Sequence, residues 1–161
     1  MRHRTISARL IWLSAWCIWL VDFASKQWAV SALSATPRRI LGDFLTFTLV
    51  RNSGAAFSFA TGLTILFALL SLAVVIAITY YSSRISSRGW QLTAGLLLGG
   101  VLGNLTDRIF REPGFLSGHV IDWIQIPHWP VFNCADSAIV IAAFLAFVLT
   151  VRNIPPITPV R

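Results

Sequence analysis

The sequence predicts an all-α polytopic membrane protein, with four transmembrane helices and a small β element at the outer interface, in one domain. Three observations predict it. Hydrophobic residues make up 56% of the 161 and charged residues only 12%, about half the charge of a typical soluble domain. Four apolar runs each come near the roughly 20 residues that a spanning helix needs. The six acids, Asp22, Asp43, Asp107, Glu112, Asp122 and Asp136, all fall on one side of those runs.

The first run, "LIWLSAWCIWLVDFASKQWAVSAL", spans residues 10–33. Arg2 and Arg4 before an apolar core also suit a cleavable signal peptide. Against that, apolar helical character continues past Asp22 and Lys26, and no clean small-x-small site follows. Residues 34–56 form an outer segment in which "FLTFTLV" alternates at strand period, predicting a short β element lying at the interface. The second span, about 57–81, lies in a stretch without charge between Arg51 and Arg84. The third, 89–106, carries Gly95, Gly99 and Gly103 at four-residue spacing, a ridge that lets helices approach closely in lipid. Residues 107–132 form the second outer segment. The fourth span is 133–152, and the Pro-rich tail, 153–161, reads as disordered.

An even number of spans puts both termini on one side, with Arg2, Arg4, Arg9, Arg84, Arg88, Arg152 and Arg161. The other side holds Lys26, Arg38, Arg39, Arg51, Arg108 and Arg111. The Arg-rich start favours cytoplasmic termini. Acids barely influence insertion, so their gathering at the outer boundary reads as a working surface. The net charge of +7 would suit nucleic acid in a soluble protein. Here the basic residues sit at the ends of apolar runs and no RNA-binding signature accompanies them, so no nucleic-acid partner is expected. Cys17 and Cys134 make no disulfide framework or zinc ribbon, and both read as small buried hydrophobes.

Ionisable residues inside lipid-spanning helices are costly and usually have a functional explanation. Asp22 and Lys26 are four apart on one helix face and can pair; a structural ion pair accounts for them at least as well as catalysis. Asn104, Asp107 and Arg108 share a face at the outer end of the third span. Asn133 and Asp136 repeat the three-residue spacing on the fourth, and Asp122 lies in the connection "GHVIDWIQI". Any one of these is ordinarily a satisfied buried polar group. Their convergence at one depth exceeds what helix packing requires. Two carboxylates in a low-dielectric pocket cannot both ionise cheaply, so one pKa rises and the pair shares a proton. Water held between them meets a base and an acid. Spacing leaves open which two acids form the pair.

Five ordered blocks give the chain a resemblance over essentially its full length. "VDFASKQW", "RNSGAAFS", "GNLTDR", "VIDW" and "FNCADS" resemble the motifs of signal peptidase II, the bacterial lipoprotein signal peptidase family. Trp123 stands where the family usually has Phe, which keeps an aromatic wall. The resemblance implies an inner-membrane aspartic endopeptidase without cofactor or metal. It would cut the signal peptide from diacylglyceryl-modified prolipoproteins just before the lipidated cysteine, with its active site near the outer face. By motif position, Asp122 and Asp136 would be the catalytic dyad. Asn52, Gly54, Asn104, Arg108 and Asn133 would bind substrate, while Asp22, Lys26 and Asp107 would support the site. The expected partners are those prolipoproteins and the lipid bilayer, and the chain is expected to be monomeric.

Three other chemistries compete. A metal-dependent membrane hydrolase would use His119, Asp122, His128 and Asp136 as zinc ligands, but no His pair has helical spacing and "PHWP" reads as a loop. A small proton-coupled carrier would use the acids as a relay, yet internal repeats and broken midplane helices are not apparent. Catalysis by Cys134 lacks a His in helical register beside it.

Overall fold

The computed structural model describes residues 8–34, 36–54 and 61–157. Arg2 and Arg4, residues 55–58 of the "RNSGAAFS" block, the first residues of the second expected span (57–60) and tail residues 158–161 lie outside the described residues. Four long helices, α1 (Arg9–Ala32), α2 (Thr61–Tyr81), α3 (Arg88–Phe110) and α4 (Cys134–Val151), are joined by three strands, β1 (Arg38–Leu41), β2 (Leu45–Asn52) and β3 (Val120–Gln125).

Helix α3 is the hub and packs on the other three. Its small residues permit this. The ridge of Gly95, Gly99 and Gly103 forms the seam with α1, and a Cβ on Gly99 would stand 2.6 Å from the Ala15 carbonyl oxygen. Gly100 faces the other way, where a Cβ would lie 2.6 Å from the Ala135 carbonyl oxygen on α4. Backbones this close leave no room for side chains, so α3 is held by packing on two sides.

The distribution of polarity is inverted relative to a soluble domain. Asp22, Lys26, Asp107, Arg108, Asp122 and Asn133 are buried, while Leu66, Leu69, Val140, Phe144 and Phe147 face outward. Two helical stretches, Thr64–Arg84 and Cys134–Val151, are long and apolar enough to cross a membrane, with mean hydropathy of 2.2 and 2.3. In α1 and α3 the charged side chains Asp22, Lys26, Asp107 and Arg108 turn inward near one end of the bundle.

At that end lies an antiparallel sheet of order β1-β2-β3. The expected β element is thus a hairpin, β1–β2, turning through Gly42 at φ +52°, a left-handed conformation that glycine adopts without strain. β3 adds a strand where only a connection was expected. Val120, Ile121, Asp122 and Trp123 are all buried, so the strand lacks the alternation of polarity that marks a half-exposed one. Ile121 and Trp123 join Ala29 and Leu33 in a cluster that seats the sheet on α1. Trp123, Trp28 and Phe47 meet edge to face, with centroids 5.0–5.7 Å apart. The loop after α3 folds back on its own helix, Gly118 N–H donating to the Arg108 carbonyl at 3.0 Å.

Two expectations are corrected. The tail is ordered over 153–157. Trp90 Nε1 donates to the Ile154 carbonyl at 2.7 Å, Ser86 N–H donates to that of Pro156 at 3.1 Å, and Ile157 bridges Ile85. The prolines that suggested disorder only bar regular structure, and the strap's carbonyls find donors on the α2–α3 turn. Cys17 faces outward rather than inward, because it lies on the side of α1 that presents the exposed apolar residues Leu13 and Leu20, away from α3.

Candidate active site

The site is assembled around one ammonium group. Lys26, only 1% exposed, directs its three donors to Asp22 Oδ2 at 2.7 Å, Asp107 Oδ2 at 2.8 Å and Asn104 Oδ1 at 2.9 Å. Each acceptor reaches a further element. Asp22 Oδ1 accepts from the Ala135 backbone N–H at 2.9 Å, in the first turn of α4. Asp107 Oδ2 accepts from the Ile121 N–H at 3.1 Å, one residue before Asp122, and Asp107 Oδ1 pairs with Arg111. Asn104, with its oxygen on Lys26, is left with its Nδ2 free to donate to Asp136 Oδ1 at 2.8 Å. A charge buried this deeply is tolerable only when all its donors are matched, and here they are.

The two remaining carboxylates meet at Asn133. This residue caps α4 in a capping box: its Oδ1 accepts from the Asp136 N–H at 2.8 Å, and Asp136 Oδ2 accepts from its N–H at 3.2 Å. Asn133 Nδ2 donates to Asp122 Oδ1 at 2.6 Å. Asn52 Nδ2 donates to Asp122 Oδ2 at 2.9 Å, while its Oδ1 accepts from the Gly54 N–H at 2.8 Å. Gly54 stands at φ +87°, so this tight turn needs a residue without Cβ. Asp122 is 2% exposed. Burial pushes its carboxyl up to about 6, with the amide donor of Asn52 opposing the rise and the charge of Asp136 adding to it.

Three clefts open onto this cluster. A groove of about 510 Å³ has Asn52, Gly54, Asn104 and Arg108 at its mouth and runs between Leu70, Val74, Leu97 and Val101. Arg108 is buried beside the Phe67 ring, 5.8 Å from Cζ to its centroid, and its Nη1 has no hydrogen-bond partner among the described residues. A second cleft, about 310 Å³, reaches Asp122 past Arg51 and Ser53. A third, about 290 Å³, reaches Asp136 along α4.

The structure therefore brings together all ten residues singled out in the sequence: Asp22, Lys26, Asn52, Gly54, Asn104, Asp107, Arg108, Asp122, Asn133 and Asp136. Phe67 and Thr64, whose hydroxyl donates to the Ser53 carbonyl, were not foreseen, since on an apolar helix neither carries a distinguishing signal. The competing sets are not assembled. His128 faces a groove with Asp43 and Trp129, the thiol of half-buried Cys134 lies 3.5 Å from the Ser25 hydroxyl, and no three His, Cys, Asp or Glu group as metal ligands among the described residues.

The same fold recurs in two solved bacterial membrane enzymes. One, 25% identical, superposes with a TM-score of 0.80 over 94% of this chain and 99% of the other. The second, 24% identical, matches the fold with a TM-score of 0.77 over 100% of both chains. This chain thus has the fold of these membrane enzymes. The family "Signal peptidase (SPase) II" matches residues 14–152, and the chain belongs to it. The chain is 45% identical to the lipoprotein signal peptidase of Streptomyces coelicolor over 86% of its own length and 68% of the relative's. It is 45% identical to that of Mycobacterium avium over 89% and 79% respectively.

Proposed function

We propose that this chain is an aspartic endopeptidase of the bacterial inner membrane. It removes the signal peptide from diacylglyceryl-modified prolipoproteins, cutting before the lipidated cysteine. Its four helices span the bilayer with both termini cytoplasmic, so that the sheet and the carboxylates lie near the outer leaflet. The observation that carries this reading is the position of Asn133, which touches Asp122 through its side chain and Asp136 through its backbone. Two carboxylates held on one residue are placed to share a proton and a water molecule.

In the reaction, Asp122, which burial makes the readier of the two to hold a proton, acts first as the acid, and Asp136 acts as the base. Asp136 takes a proton from water as the water oxygen attacks the scissile carbonyl carbon, and Asp122 gives its proton to the carbonyl oxygen. Collapse of the resulting diol breaks the C–N bond. Asp136 then protonates the leaving amine, and one diol hydroxyl returns its proton to Asp122. Arg108 and Asn52, at the mouth of the larger groove, hold backbone carbonyls of the signal peptide, and no cofactor takes part.

The test is cleavage of a diacylglyceryl-modified prolipoprotein by the purified protein in lipid. Cleavage before the modified cysteine, unaffected by chelators or by serine- and cysteine-directed reagents, is expected. Equal cleavage of the unlipidated precursor would overturn the substrate assignment, and loss of activity with EDTA restored by zinc would overturn the chemistry.

A further inference from the structure

Resting on that reading, we propose that the cleft between the β3–α4 connection and α4 is the seat of the substrate's diacylglyceryl chains, with the 510 Å³ groove left to the signal peptide. The cleft is walled by Ile126, Trp129, Phe132, Val140 and Ile141, with Asp136 and Ser137 at one edge. Three features select an acyl chain as its occupant.

The first is hydrogen bonding. A peptide in a water-poor cleft must satisfy its carbonyls and N–H groups. Among the lining side chains the donors are the Trp129 indole and the Ser137 hydroxyl, and the latter already donates to the Asn133 carbonyl at 3.0 Å. The larger groove offers the unpartnered Arg108 Nη1 and, on each of the Asn52 and Asn104 amides at its mouth, the one N–H not already given to a carboxylate. Peptide suits the groove and hydrocarbon suits the cleft.

The second is connectivity. The lipid hangs from the cysteine on the amine side of the scissile bond, and the signal peptide lies on the acyl side. The two must therefore leave the carboxylates in different directions. The cleft and the groove open on different sides of α4: Ser137 and Ile141 line one, and Ile139, about 200° around the helix from each, lines the other.

The third is continuity. Below the cleft, Val140, Phe144, Phe147 and Val151 follow one another at four-, three- and four-residue steps and are all more than 60% exposed. They make one apolar stripe along the α4 face. A chain entering at Asp136 meets hydrocarbon along the whole helix, at about 0.8 kcal/mol for each CH₂ buried.

The experiment uses two photoactivatable precursors with the wild-type enzyme in lipid. One carries a diazirine in its acyl chains, and the other carries it on an apolar residue of the signal peptide. Acyl label on residues 126–144, with peptide label on Leu70, Val74 or Leu97, is expected. Acyl label on those groove residues would overturn the assignment. In kinetics, Ile141→Trp fills the cleft and should raise KM about tenfold for long-chain precursors while leaving short-chain ones nearly unchanged. An equal effect on both chain lengths, or none on either, would also overturn it. Failure of the wild-type protein to cleave any lipidated precursor is a separate result, which removes the peptidase reading and the subsite together.

Discussion

Lys26 Nζ donates to Asn104 Oδ1 at 2.9 Å across 78 residues of sequence, and this bond decides which way the Asn104 amide faces. With its oxygen occupied, Asn104 can only donate to Asp136. The same ammonium holds Asp22, which ties down the first turn of α4, and Asp107, which ties down β3 beside Asp122. One cation on α1 therefore sets the geometry of two acids on two other elements.

Replacing Lys26 with Met strands two buried carboxylates. Removing one partner of a buried ion pair costs about 3–5 kcal/mol. Lys26→Met should lower the thermal midpoint in detergent by many degrees, and any protein that remains folded should be severely impaired in turnover. A variant as stable as the wild type would mean that the ammonium is dispensable to the fold.

The carboxylates should separate by role when four Asp→Asn variants are compared. Asp122→Asn and Asp136→Asn should each abolish turnover while still inserting and purifying normally, because an amide neither takes water's proton nor shares one. Asp107→Asn should act mainly through stability, by about 3 kcal/mol, since it weakens the contacts with Lys26, Ile121 and Arg111 together. Asp43→Asn should leave activity intact, because Asp43 is exposed and its ion pair is with exposed Arg39. Turnover and melting measured side by side check all four. A stable but inactive Asp107→Asn beside an active Asp122→Asn would reassign the pair.

The sequence made the four helices legible because each run is long and apolar, and it made the Asn104–Arg108 face legible because helical spacing is local. It did not reveal β3, since burial on both faces removes the alternation that identifies a strand. Nor could it join Lys26 to Asp107, or Asp22 to the Ala135 N–H, because those contacts exist only once α3 has closed on α1 and α4. The glycine ridge signalled that closure, but its partner was not readable from spacing. The ordered tail escaped notice because its contacts are made by backbone carbonyls, which every sequence has.

Gly99 gives a direct test of the helix seam. An added Cβ would lie 2.6 Å from the Ala15 carbonyl oxygen and 2.7 Å from Ile18 Cβ, so backbone must move to admit it. Overpacking of this kind costs about 1–3 kcal/mol. Gly99→Ala should lose at least that much despite the better helix propensity of alanine, as read from thermal unfolding in detergent. An unchanged midpoint would mean that the α1–α3 seam is looser than the geometry requires.

The last prediction concerns Asp122 and pH. Its carboxyl has an ordinary value of 3.8 and is pushed up to about 6, first by burial. A raised carboxyl pKa means that the folded state holds the proton more tightly than the unfolded chain. The resulting stability is fully present below about pH 4 and is lost as pH rises through about 6. The shift of about two pKa units corresponds to at most about 3 kcal/mol. Asp122→Asn has no proton to lose at this position, so its stability should not follow that slope. At acid pH the variant can be the less stable of the two, because its new amide donor faces the donors of Asn52 and Asn133. Its melting temperature minus that of the wild type should nevertheless climb between pH 4 and 6 and level off above. Unfolding of both proteins in the same detergent across that range checks it. A difference that stays flat, or falls, would place the Asp122 titration outside the window and remove the reason for making it the proton-bearing member of the pair.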